Sequence, residues 1–505
     1  EAGNDTYVVD NAGDTINDAS GHDTVQTDLD GYVLDDQVED LVLTGIAAIN
    51  GSGNDLDNAI TGNAANNVLD GGLGTDTVVL PGSLGDHSFS LVAGNVTVSS
   101  GVGGVDTLVS IERALLGGVS YAIIAGTNTA NAGLTGTADN DLVLGFNGAD
   151  TLQGNGGDDI LDGGNGADDM FGGAGNDVYR VGQGADFVEE SAGEGIDTIY
   201  ADVTRNLNNT AHAVGEIENV VLVGATGTEN INALGNALDN TLTGNAGNNT
   251  LNGRGGQDTL IGNGGDDNLV GGGGDDVLEG GLGSDTLNGG AGSDTAVFAG
   301  SAGDYLLGVD AFGLATVTHL ATGDVDTLTD IEKVRFGDGP VLDVVTNVAG
   351  IPAGPSLLFG TDGDDDIVGG PGEDVIIGGP GNDTLDGSDV GDGDDNVAPG
   401  TPDDDTFIWT PGDGSDVING GMEGVDGDLF QIIGNGEAET YRIYTYDEAV
   451  LRIGFAGSDE AEIIVTRQVG AGPEEIIAEM TEIEEIVING AGVSGDGSAG
   501  GDSFE

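Results

Sequence analysis

The sequence predicts an all-β protein made of short repeated strands and glycine-rich turns, interleaved with small antiparallel β modules. Three observations predict this class: a high glycine content, a nine-residue repeat, and alternating apolar segments between the repeat blocks. The 505 residues include 98 glycines, and each interior glycine disfavours a helix by roughly 1 kcal/mol relative to Ala. Glycine suits turns instead, because it reaches positive φ freely.

A nonapeptide, Gly-Gly-x-Gly-x-Asp-x-U-x with U a large apolar residue, recurs in four blocks. Five units occupy 136–180, seven occupy 235–297, three occupy 360–386 and three weaker ones occupy 53–79. A carboxylate and an apolar residue in one period indicate a cation site and a core contact in each unit, whereas a flexible linker needs neither. The sixth-position aspartates are Asp76, Asp141, Asp150, Asp159, Asp168, Asp177, Asp258, Asp267, Asp276, Asp285, Asp294, Asp365, Asp374 and Asp383.

The last three residues of each unit are predicted to form a short strand. Side chains alternate across a strand, so the middle residue points to the opposite side from its neighbours. If the middle residue points inward, the units build a thin apolar column. In the seven-unit block this column comprises Leu242, Leu251, Leu260, Leu269, Leu278 and Leu287.

This repeat resembles that of the RTX (repeats-in-toxin) family of secreted calcium-binding proteins, whose repeats form a parallel β-solenoid. The resemblance implies a parallel β-roll in which two units complete one right-handed coil and unit n stacks on unit n+2. It also implies multiple Ca²⁺ ions between stacked turns, bound by sixth-position aspartates and by glycine carbonyls. Calcium prefers six to eight such oxygens at about 2.3–2.6 Å. The carbonyls implied are those of Gly145, Gly148, Gly154, Gly163, Gly166, Gly262, Gly265, Gly271, Gly274, Gly280, Gly283, Gly369 and Gly372.

Asparagine replaces aspartate at four sixth positions, namely Asn58, Asn67, Asn240 and Asn249. An amide supplies a neutral oxygen, so sites that use these residues are expected to be weaker or empty. The repeat therefore predicts calcium affinities that differ from block to block.

The segments between the blocks also repeat. Residues 105–113 (VDTLVSIER) match residues 325–333 (VDTLTDIEK), and residues 2–7 resemble residues 174–179, which predicts two copies of one composite module at about 1–125 and 174–345. Each copy ends in a predicted hairpin, Ser88–Val92 with Val96–Val98 and Tyr305–Val309 with Leu314–Thr318. Alternating strands around Gly, Asn and Asp turns are typical of hairpins. We interpret them as caps and spacers, since a solenoid needs covered ends; ligand-binding modules are the alternative.

The predicted segments follow from these patterns. They are a β module with a truncated start (1–52), a short degenerate β-roll (53–79), a hairpin cap or spacer (80–135), a five-repeat calcium β-roll (136–180), a β module (181–234), a seven-repeat calcium β-roll (235–297), a hairpin cap or spacer with linker (298–359), a short calcium β-roll (360–399) and a C-terminal antiparallel β module with a truncated end (400–505).

The C-terminal segment is less rich in glycine and contains the single Trp. Residues 403–409 resemble a further turn and strand, and residues 441–446, 449–455 and 462–466 are predicted antiparallel strands. Glu474 to Glu485 is predicted as a short helix. The aromatic residues Trp409, Tyr441, Tyr444 and Tyr446 are interpreted as core or interface residues rather than a sugar-stacking site.

Charge and motifs exclude several functions. With 90 acidic and nine basic residues the net charge is −81, which disfavours nucleic acid and anionic membranes as partners. No Cys is present, so metal ligands must be oxygens. No apolar run approaches the roughly 20 residues that span a bilayer. His22, His87, His212 and His319 are scattered, and no zinc-protease helix, lipase nucleophile elbow or phosphate-binding loop occurs, so we predict that the segment is not an enzyme.

The resemblance implies a bacterial protein that is exported unfolded by type I secretion and folds in extracellular calcium. We expect a structural or adhesive protein of the cell surface or matrix, with filament or sheet formation by self-assembly as one form of that role. The alternative is the non-catalytic calcium-folding region of a larger secreted enzyme or toxin. Both ends of the chain are interpreted as lying within a repeat, so we expect a longer polypeptide.

Overall fold

The computed structural model describes two compact units, residues 1–245 and 246–505. The described residues are 3–17, 20–100, 104–210, 213–224, 226–301, 304–309, 315–337, 341–345 and 356–360, followed by the shorter segments 366–369, 374–378, 382–387, 406–409, 416–419, 429–433, 439–445, 463–469, 474–481, 485–489 and 503–504. Within them, no helix has the length and apolar character needed to span a bilayer.

The first unit contains short strands and one 3-10 turn at Leu84–Asp86. Its strands are β1 (Thr6–Val9), β2 (Thr24–Thr27), β3 (Tyr32–Val33), β4 (Asp40–Leu43), β5 (Gly51–Ser52), β6 (Ala59–Thr61), β7 (Val68–Asp70), β8 (Thr77–Leu80), β9 (His87–Val92), β10 (Asn95–Ser100), β11 (Val105–Val109), β12 (Arg113–Leu116), β13 (Val119–Ala125), β14 (Leu134–Thr135), β15 (Asp141–Leu144), β16 (Thr151–Gly156), β17 (Ile160–Asp162), β18 (Asp169–Ala174), β19 (Val178–Val181), β20 (Phe187–Glu189), β21 (Thr198–Ala201), β22 (Arg205–Asn206), β23 (Ala213–Val214), β24 (Asn219–Leu222), β25 (Ala233–Leu234) and β26 (Thr241–Thr243).

The second unit is also built of strands throughout its described residues. They are β27 (Thr250–Asn252), β28 (Thr259–Ile261), β29 (Asn268–Gly273), β30 (Val277–Glu279), β31 (Thr286–Ala291), β32 (Thr295–Phe298), β33 (Tyr305–Val309), β34 (Ala315–His319), β35 (Val325–Thr329), β36 (Lys333–Phe336), β37 (Val341–Val345), β38 (Ser356–Phe359), β39 (Asp366–Val368), β40 (Val375–Ile377), β41 (Thr384–Asp386), β42 (Thr406–Trp409), β43 (Asp416–Asn419), β44 (Leu429–Ile433), β45 (Glu439–Thr445), β46 (Ile463–Val469), β47 (Glu474–Thr481), β48 (Glu485–Asn489) and β49 (Ser503–Phe504). The predicted all-β class is confirmed.

Parallel pairing between strands 18 residues apart confirms the predicted n to n+2 stacking. In the first unit Val143 pairs with Leu161, which pairs with Tyr179. In the second unit the seven-unit block splits into two columns on facing sheets. One runs through Leu251, Leu269, Leu287 and Leu328, and the other through Leu260, Leu278, Ala296 and Val334.

The middle residue of each repeat strand points inward, as predicted. All six leucines of the predicted column are fully buried at 0% exposure, with Leu242 in the first unit and the other five in the second. Their neighbours in the strands are partly or fully exposed, as in the pattern around Leu260 and Leu278. Alternation across a short strand therefore builds the core of both units.

The two predicted hairpins exist and each ends a sheet. Strand β9 pairs antiparallel with β10 through a turn at Ala93 and Gly94, both at positive φ. This hairpin completes the sheet β3-β5-β7-β11-β10-β9, and the equivalent hairpin β33–β34 completes β27-β29-β31-β35-β34-β33. Strands β9 and β33 are therefore the outermost strands of these sheets, and the role of the hairpins as caps stays a prediction. The predicted turn between β33 and β34, residues 310–313, and Leu314 lie outside the described residues.

The facing sheet continues past each hairpin. In the first unit β8 pairs parallel with β12, β12 pairs antiparallel with β13, and β13 pairs parallel with β15. The second copy repeats this order through β32, β36, β37 and β38. In this sheet the strand direction therefore reverses between β12 and β13 and between β36 and β37, without interruption of the hydrogen-bonded ladder.

Strands just beyond the reversal are buried on both faces. Leu142 and Val143 are adjacent and point to opposite faces, yet both are fully buried. Leu142 and Leu144 pack into the core that includes Leu116, whereas Val143 is outside that core. The continuous sheet therefore separates two cores at this point.

The segments 1–52 and 181–234 contribute further parallel strands to this sheet, through β1, β2 and β4 and through β21 and β24. Strand β20 belongs instead to the sheet β14-β16-β18-β20-β23. Antiparallel pairing in the described residues is limited to the hairpin regions and the C-terminal strands β45, β46 and β47. The boundaries of the nine segments stay predictions.

One sequence prediction in the C-terminal segment is wrong. Glu474 to Glu485 was expected to be helical, but Glu474–Thr481 is strand β47, antiparallel to β46 and parallel to β43. Ile477, Ala478 and Met480 are buried in the core of this region, so packing overrides the helix propensity of the glutamates. The predicted strands at 406–409, 441–445 and 463–466 are present, whereas 449–455 and the side chains of Trp409, Tyr441, Tyr444 and Tyr446 lie outside the described part.

Candidate calcium sites between the turns

One oxygen of each sixth-position carboxylate is fixed by the backbone of the preceding coil. The amide of Asp141 donates to Oδ1 of Asp159 at 2.8 Å, and the amide of Asp159 donates to Oδ1 of Asp177 at 2.7 Å. The amide of Asp150 donates in the same way to Asp168 at 2.8 Å. In the second unit three bonds of 2.8 Å repeat the pattern, joining Asp258 to Asp276, Asp267 to Asp285 and Asp276 to Asp294.

The second oxygen of these carboxylates is buried and accepts no hydrogen bond. This holds for Oδ2 of Asp76, Asp150, Asp159, Asp168, Asp177, Asp267, Asp276, Asp285 and Asp294. In Asp141 the roles are exchanged, since Oδ2 accepts from Thr137 and Oδ1 is the oxygen without a partner. A buried charged oxygen without a partner costs several kcal/mol unless a cation compensates it.

The first glycine of each unit leaves space beside that oxygen. A Cβ on Gly145 would lie 2.6 Å from the carbonyl oxygen of Gly163 and 3.0 Å from Oδ2 of Asp150. The first glycine is therefore required by space, because any side chain would fill the gap between a carboxylate oxygen and a carbonyl oxygen. A Cβ on Gly136 would lie 2.5 Å from the carbonyl oxygen of Gly154 and 2.7 Å from Oδ2 of Asp141, which in this turn is the oxygen that accepts from Thr137.

Several predicted glycine carbonyls point into these gaps. The carbonyls of Gly145, Gly154, Gly163 and Gly280 face the first glycine of the coil before. Those of Gly148, Gly265 and Gly274 face the fourth-position glycines one coil later, Gly166, Gly283 and Gly292. Gly172 and Gly289, which were not predicted, also face first glycines, at Gly154 and Gly271. The carbonyls of Gly166, Gly262, Gly271 and Gly283 stay predictions as ligands.

Burial makes these carboxylates poor anions on their own. It raises the pKa of Asp159 to about 7, helped by the charges of Asp141 and Asp158 and opposed by the hydrogen bond from the Asp141 amide. Burial likewise raises the pKa of Asp177 and of Asp267 to about 7, and that of Asp168 and of Asp276 to about 6. Without a cation, these five aspartates therefore bind protons at a pH well above the usual range of an aspartate.

Calcium fits this donor set. The gap offers carboxylate and carbonyl oxygens only, which are the ligands of hard cations such as Ca²⁺. A bound Ca²⁺ would satisfy the second carboxylate oxygen and compensate the negative charge of two stacked aspartates. No His or Cys nitrogen or sulfur ligand takes part in these described turns.

Acidic residues outside the nonapeptide complete the ladder at the block ends. The amide of Asp177 donates to Oδ1 of Asp197 at 2.8 Å, and that of Asp168 donates to Oδ1 of Asp186 at 3.3 Å. After each hairpin a glutamate accepts the corresponding hydrogen bond. In the first copy the amide of Asp76 donates to Oε2 of Glu112 at 2.9 Å. In the second copy the amide of Asp294 donates to Oε2 of Glu332 at 2.8 Å. The amide of Asp285 donates to Oδ1 of an aspartate, Asp326, also at 2.8 Å. Sequence reasoning missed these acids, although the duplicated VDTL and IE motifs carried the signal.

In turns with asparagine at the sixth position, the side chain forms hydrogen bonds through both its oxygen and its NH₂ group. Oδ1 of Asn58 accepts from the amide of Asn54 at 2.7 Å, while its Nδ2 donates to the carbonyls of Val38 and Glu39. Nδ2 of Asn67 donates to the carbonyl of Ile49 at 2.6 Å. The amide NH₂ group therefore binds carbonyl oxygens directly, which supports the prediction of weak or empty sites at these positions.

The short third block is described only in part. The amide of Ser356 donates to Oδ1 of Asp374 at 2.7 Å, and a Cβ on Gly369 would lie 2.6 Å from Oδ2 of the same residue. Asp374 and Asp383 are buried. Asp365 and Gly372 lie outside the described residues, so their predicted roles are not observed.

Comparison with known proteins agrees with the turn geometry. The model of the RTX calcium-binding nonapeptide repeat matches residues 52–80, 134–161, 144–179, 153–188, 234–269, 261–296 and 359–397. No curated protein sequence matches the chain. Among solved structures, an extracellular lipase, LipA from Serratia marcescens, is similar over 67% of this chain and 67% of its own, at 13% identity and a TM-score of 0.20. These blocks are RTX calcium-binding nonapeptide repeats, which bind Ca²⁺ at multiple sites.

Proposed function

We propose that the chain folds when it meets a calcium-rich extracellular medium and then serves as a structural or adhesive protein of the cell surface or matrix. One observation carries the calcium dependence: a ladder of buried carboxylates, each with one oxygen bonded and one oxygen without a partner. Binding to the folded state alone contributes about 2.7 kcal/mol per site at a hundredfold excess over Kd. Extracellular calcium modules have Kd values near 10⁻⁴–10⁻³ M, so low cytosolic calcium leaves such a chain unfolded.

In this proposal the ions lie between the turns of unit n and unit n+2, which belong to adjacent coils. The ligands are the second oxygens of the sixth-position aspartates and the glycine carbonyls that face them, such as Asp150 with Gly163. Calcium supplies positive charge and coordination where the protein provides neither. Folding and ion binding are then one process, as in other metal-coupled domains.

The structural role rests on the extent of the repeat and on the surface charge. Repeat strands and their hairpin caps account for most of the described chain, and the buried acids serve the turns. Further acids are exposed, for example Asp57, Asp139 and Asp275. Exposed carboxylates on a chain of net charge −81 repel one another without cations, and calcium between chains would favour assembly into filaments or sheets.

Circular dichroism of the whole chain tests the calcium dependence. We expect β-type spectra at millimolar Ca²⁺, their loss in excess chelator, and recovery when calcium is restored. Mg²⁺ at the same concentration is the matched control, because it demands near-ideal octahedral geometry and dehydrates reluctantly. A fully folded chain in excess chelator at neutral pH contradicts the proposal.

Electron microscopy tests the structural role. We expect calcium-dependent filaments or sheets, or calcium-dependent attachment of the purified chain to cells. Monomers at millimolar calcium that attach to no surface contradict this role and favour the folding region of a larger secreted protein.

A further inference from the structure

Beyond the nonapeptide, three acids converge at the end of the five-unit roll. Asp177 is the sixth residue of the last unit, whereas Glu190 and Asp197 follow in the segment after it. Each offers one carboxylate oxygen, and these oxygens lie within 4.8 Å of one another. Two ligands of one calcium ion are separated by at most about twice 2.3–2.6 Å, so a single ion can contact all three.

Glu190 is the unusual member of this group. Its side chain is only 4% exposed, and neither of its carboxylate oxygens accepts a hydrogen bond. Asp177 and Asp197 are 0% and 1% exposed, and Oδ2 of Asp177 also has no partner. The cluster therefore contains three carboxylate oxygens that the protein leaves without a donor.

Protonation alone does not satisfy Glu190. Burial raises its pKa to about 9, and the charges of Asp197 and Asp177 add to this effect. The amide of Gly173 approaches the carboxylate without meeting hydrogen-bond geometry and offsets little of it. A neutral carboxyl group would still place an O–H donor and a carbonyl acceptor in a buried site without partners.

The position of the cluster explains why an acid is needed there. Within the roll, the glycine carbonyl of the next coil faces each sixth-position aspartate, as Gly163 faces the gap beside Asp150. After Asp177 the nonapeptide ends, and the next coil has Asp197 in place of a repeat aspartate. Glu190 lies on that coil and supplies oxygens where the glycine turn is missing.

We propose that Asp177, Glu190 and Asp197 form a calcium site that closes the five-unit roll outside the nonapeptide consensus. Glu190 replaces the glycine carbonyls as a ligand, and Asp197 contributes while its Oδ1 holds the Asp177 amide at 2.8 Å. All three ligands are carboxylates, which selects a hard cation over zinc or copper.

Native mass spectrometry of the full chain at saturating calcium tests this site. We expect Glu190→Gln to bind one calcium ion fewer than the unmodified chain. The matched control is Glu189→Gln, which removes the same charge from the adjacent exposed residue and must keep the full number of ions. A full number of ions in Glu190→Gln, or a loss in both variants, overturns the proposal.

If Glu190→Gln does not fold, Asp197→Asn takes its place, because the asparagine oxygen can still accept from the Asp177 amide. One ion fewer is again expected, and the full number overturns the site. If the variants bind as many calcium ions as the unmodified chain, the three-acid site is wrong but the proposed calcium-dependent folding still stands. If the unmodified chain binds no calcium, the proposed function itself is contradicted.

Discussion

Two sets of turns in the first unit share a backbone and differ at the sixth position. Around Asn58 and Asn67, the asparagine turns, a side-chain amide donates to carbonyls of the coil before, including those of Val38 and Ile49. Around Asp141, Asp150 and Asp159, the aspartate turns, an oxygen stays without a partner and a glycine gap lies beside it. The asparagine NH₂ group does within the protein what a calcium ion does in the aspartate turns.

This comparison teaches that the repeat can stabilise a coil in two ways. The asparagine turn closes through hydrogen bonds worth about 0.5–1.5 kcal/mol each, which are present in any medium. The aspartate turn depends on a cation, so its stability follows the calcium concentration. A chain that alternates both kinds has parts that fold at different calcium levels.

Removal of calcium is expected to have the largest effect. In excess chelator at neutral pH, amides of β15, β17 and β19 should lose about a hundredfold protection or more for each ion lost, whereas β6 should lose much less. Hydrogen exchange read by mass spectrometry on the full chain checks this. Equal loss of protection in both regions contradicts the comparison.

Removal of one carboxylate charge tests how much a single aspartate turn depends on calcium. Asp159→Asn keeps an acceptor for the Asp141 amide but removes a charged ligand, so we expect about 2.7 kcal/mol less protection of β15 and β17 at a hundredfold excess of calcium over Kd. The measurement is hydrogen exchange in calcium. Asp158→Asn, at the exposed neighbouring position, is the control and should change little. A similar effect of both variants would attribute the loss to net charge.

The pH dependence should reverse sign with calcium. In the metal-free fold, burial raises the pKa of Asp159 and of Asp177 to about 7, above the value near 3.9 of an unfolded aspartate. The folded state then binds more protons, so this contribution is fully present below about pH 3.9 and is lost as pH rises through 7. With saturating calcium the ionised form is bound, so acid should destabilise.

Circular dichroism between pH 5 and 8, with urea added in the calcium samples, checks both slopes. In chelator, the β-type spectrum should increase as the pH falls, and in calcium the stability against urea should decrease. Slopes of the same sign in both media would show that protons and calcium do not compete for these carboxylates.

The smallest effect is expected when the asparagine of an asparagine turn is replaced by aspartate. Asn58→Asp cannot donate to the Val38 and Glu39 carbonyls, so we expect a loss of about 1–3 kcal/mol in chelator and partial recovery in calcium. Asn66→Asp is the control, since Asn66 is exposed and uses only its oxygen, as acceptor for Val105. Calcium titration of thermal unfolding is the measurement. Absence of any calcium response in Asn58→Asp would mean that the asparagine turns have no latent site.

Sequence reasoning predicted what the period itself encodes. The inward leucines and the hairpins follow from local patterns, because alternation and turn residues act within a few positions. The stacking of alternate units was implied by the resemblance to RTX repeats, since the spacing only permits it. The ladder acids Glu112 and Glu332 were missed because they contact Asp76 and Asp294 across 36 and 38 residues. No local pattern specifies which distant segment resumes the ladder after an inserted hairpin.

The same limit explains two other outcomes. In the sequence nothing distinguishes Glu190 from the other acidic residues. The fold shows that it is buried beside Asp177 and Asp197. Strand β47 was predicted as a helix because its glutamates favour helices, whereas its pairing with β43 and β46 decides the conformation.

The direction reversal at β12 and β13 makes neighbouring blocks mechanically dependent. Leu142 and Val143 are adjacent on one strand, and both are buried, but only Leu142 belongs to the core that includes Leu116. Strand β15 therefore packs against apolar residues on both of its faces. The strand begins at Asp141, whose amide donates to Asp159. We therefore expect that a cation bound at this turn also stabilises the neighbouring core, so that adjacent blocks unfold cooperatively.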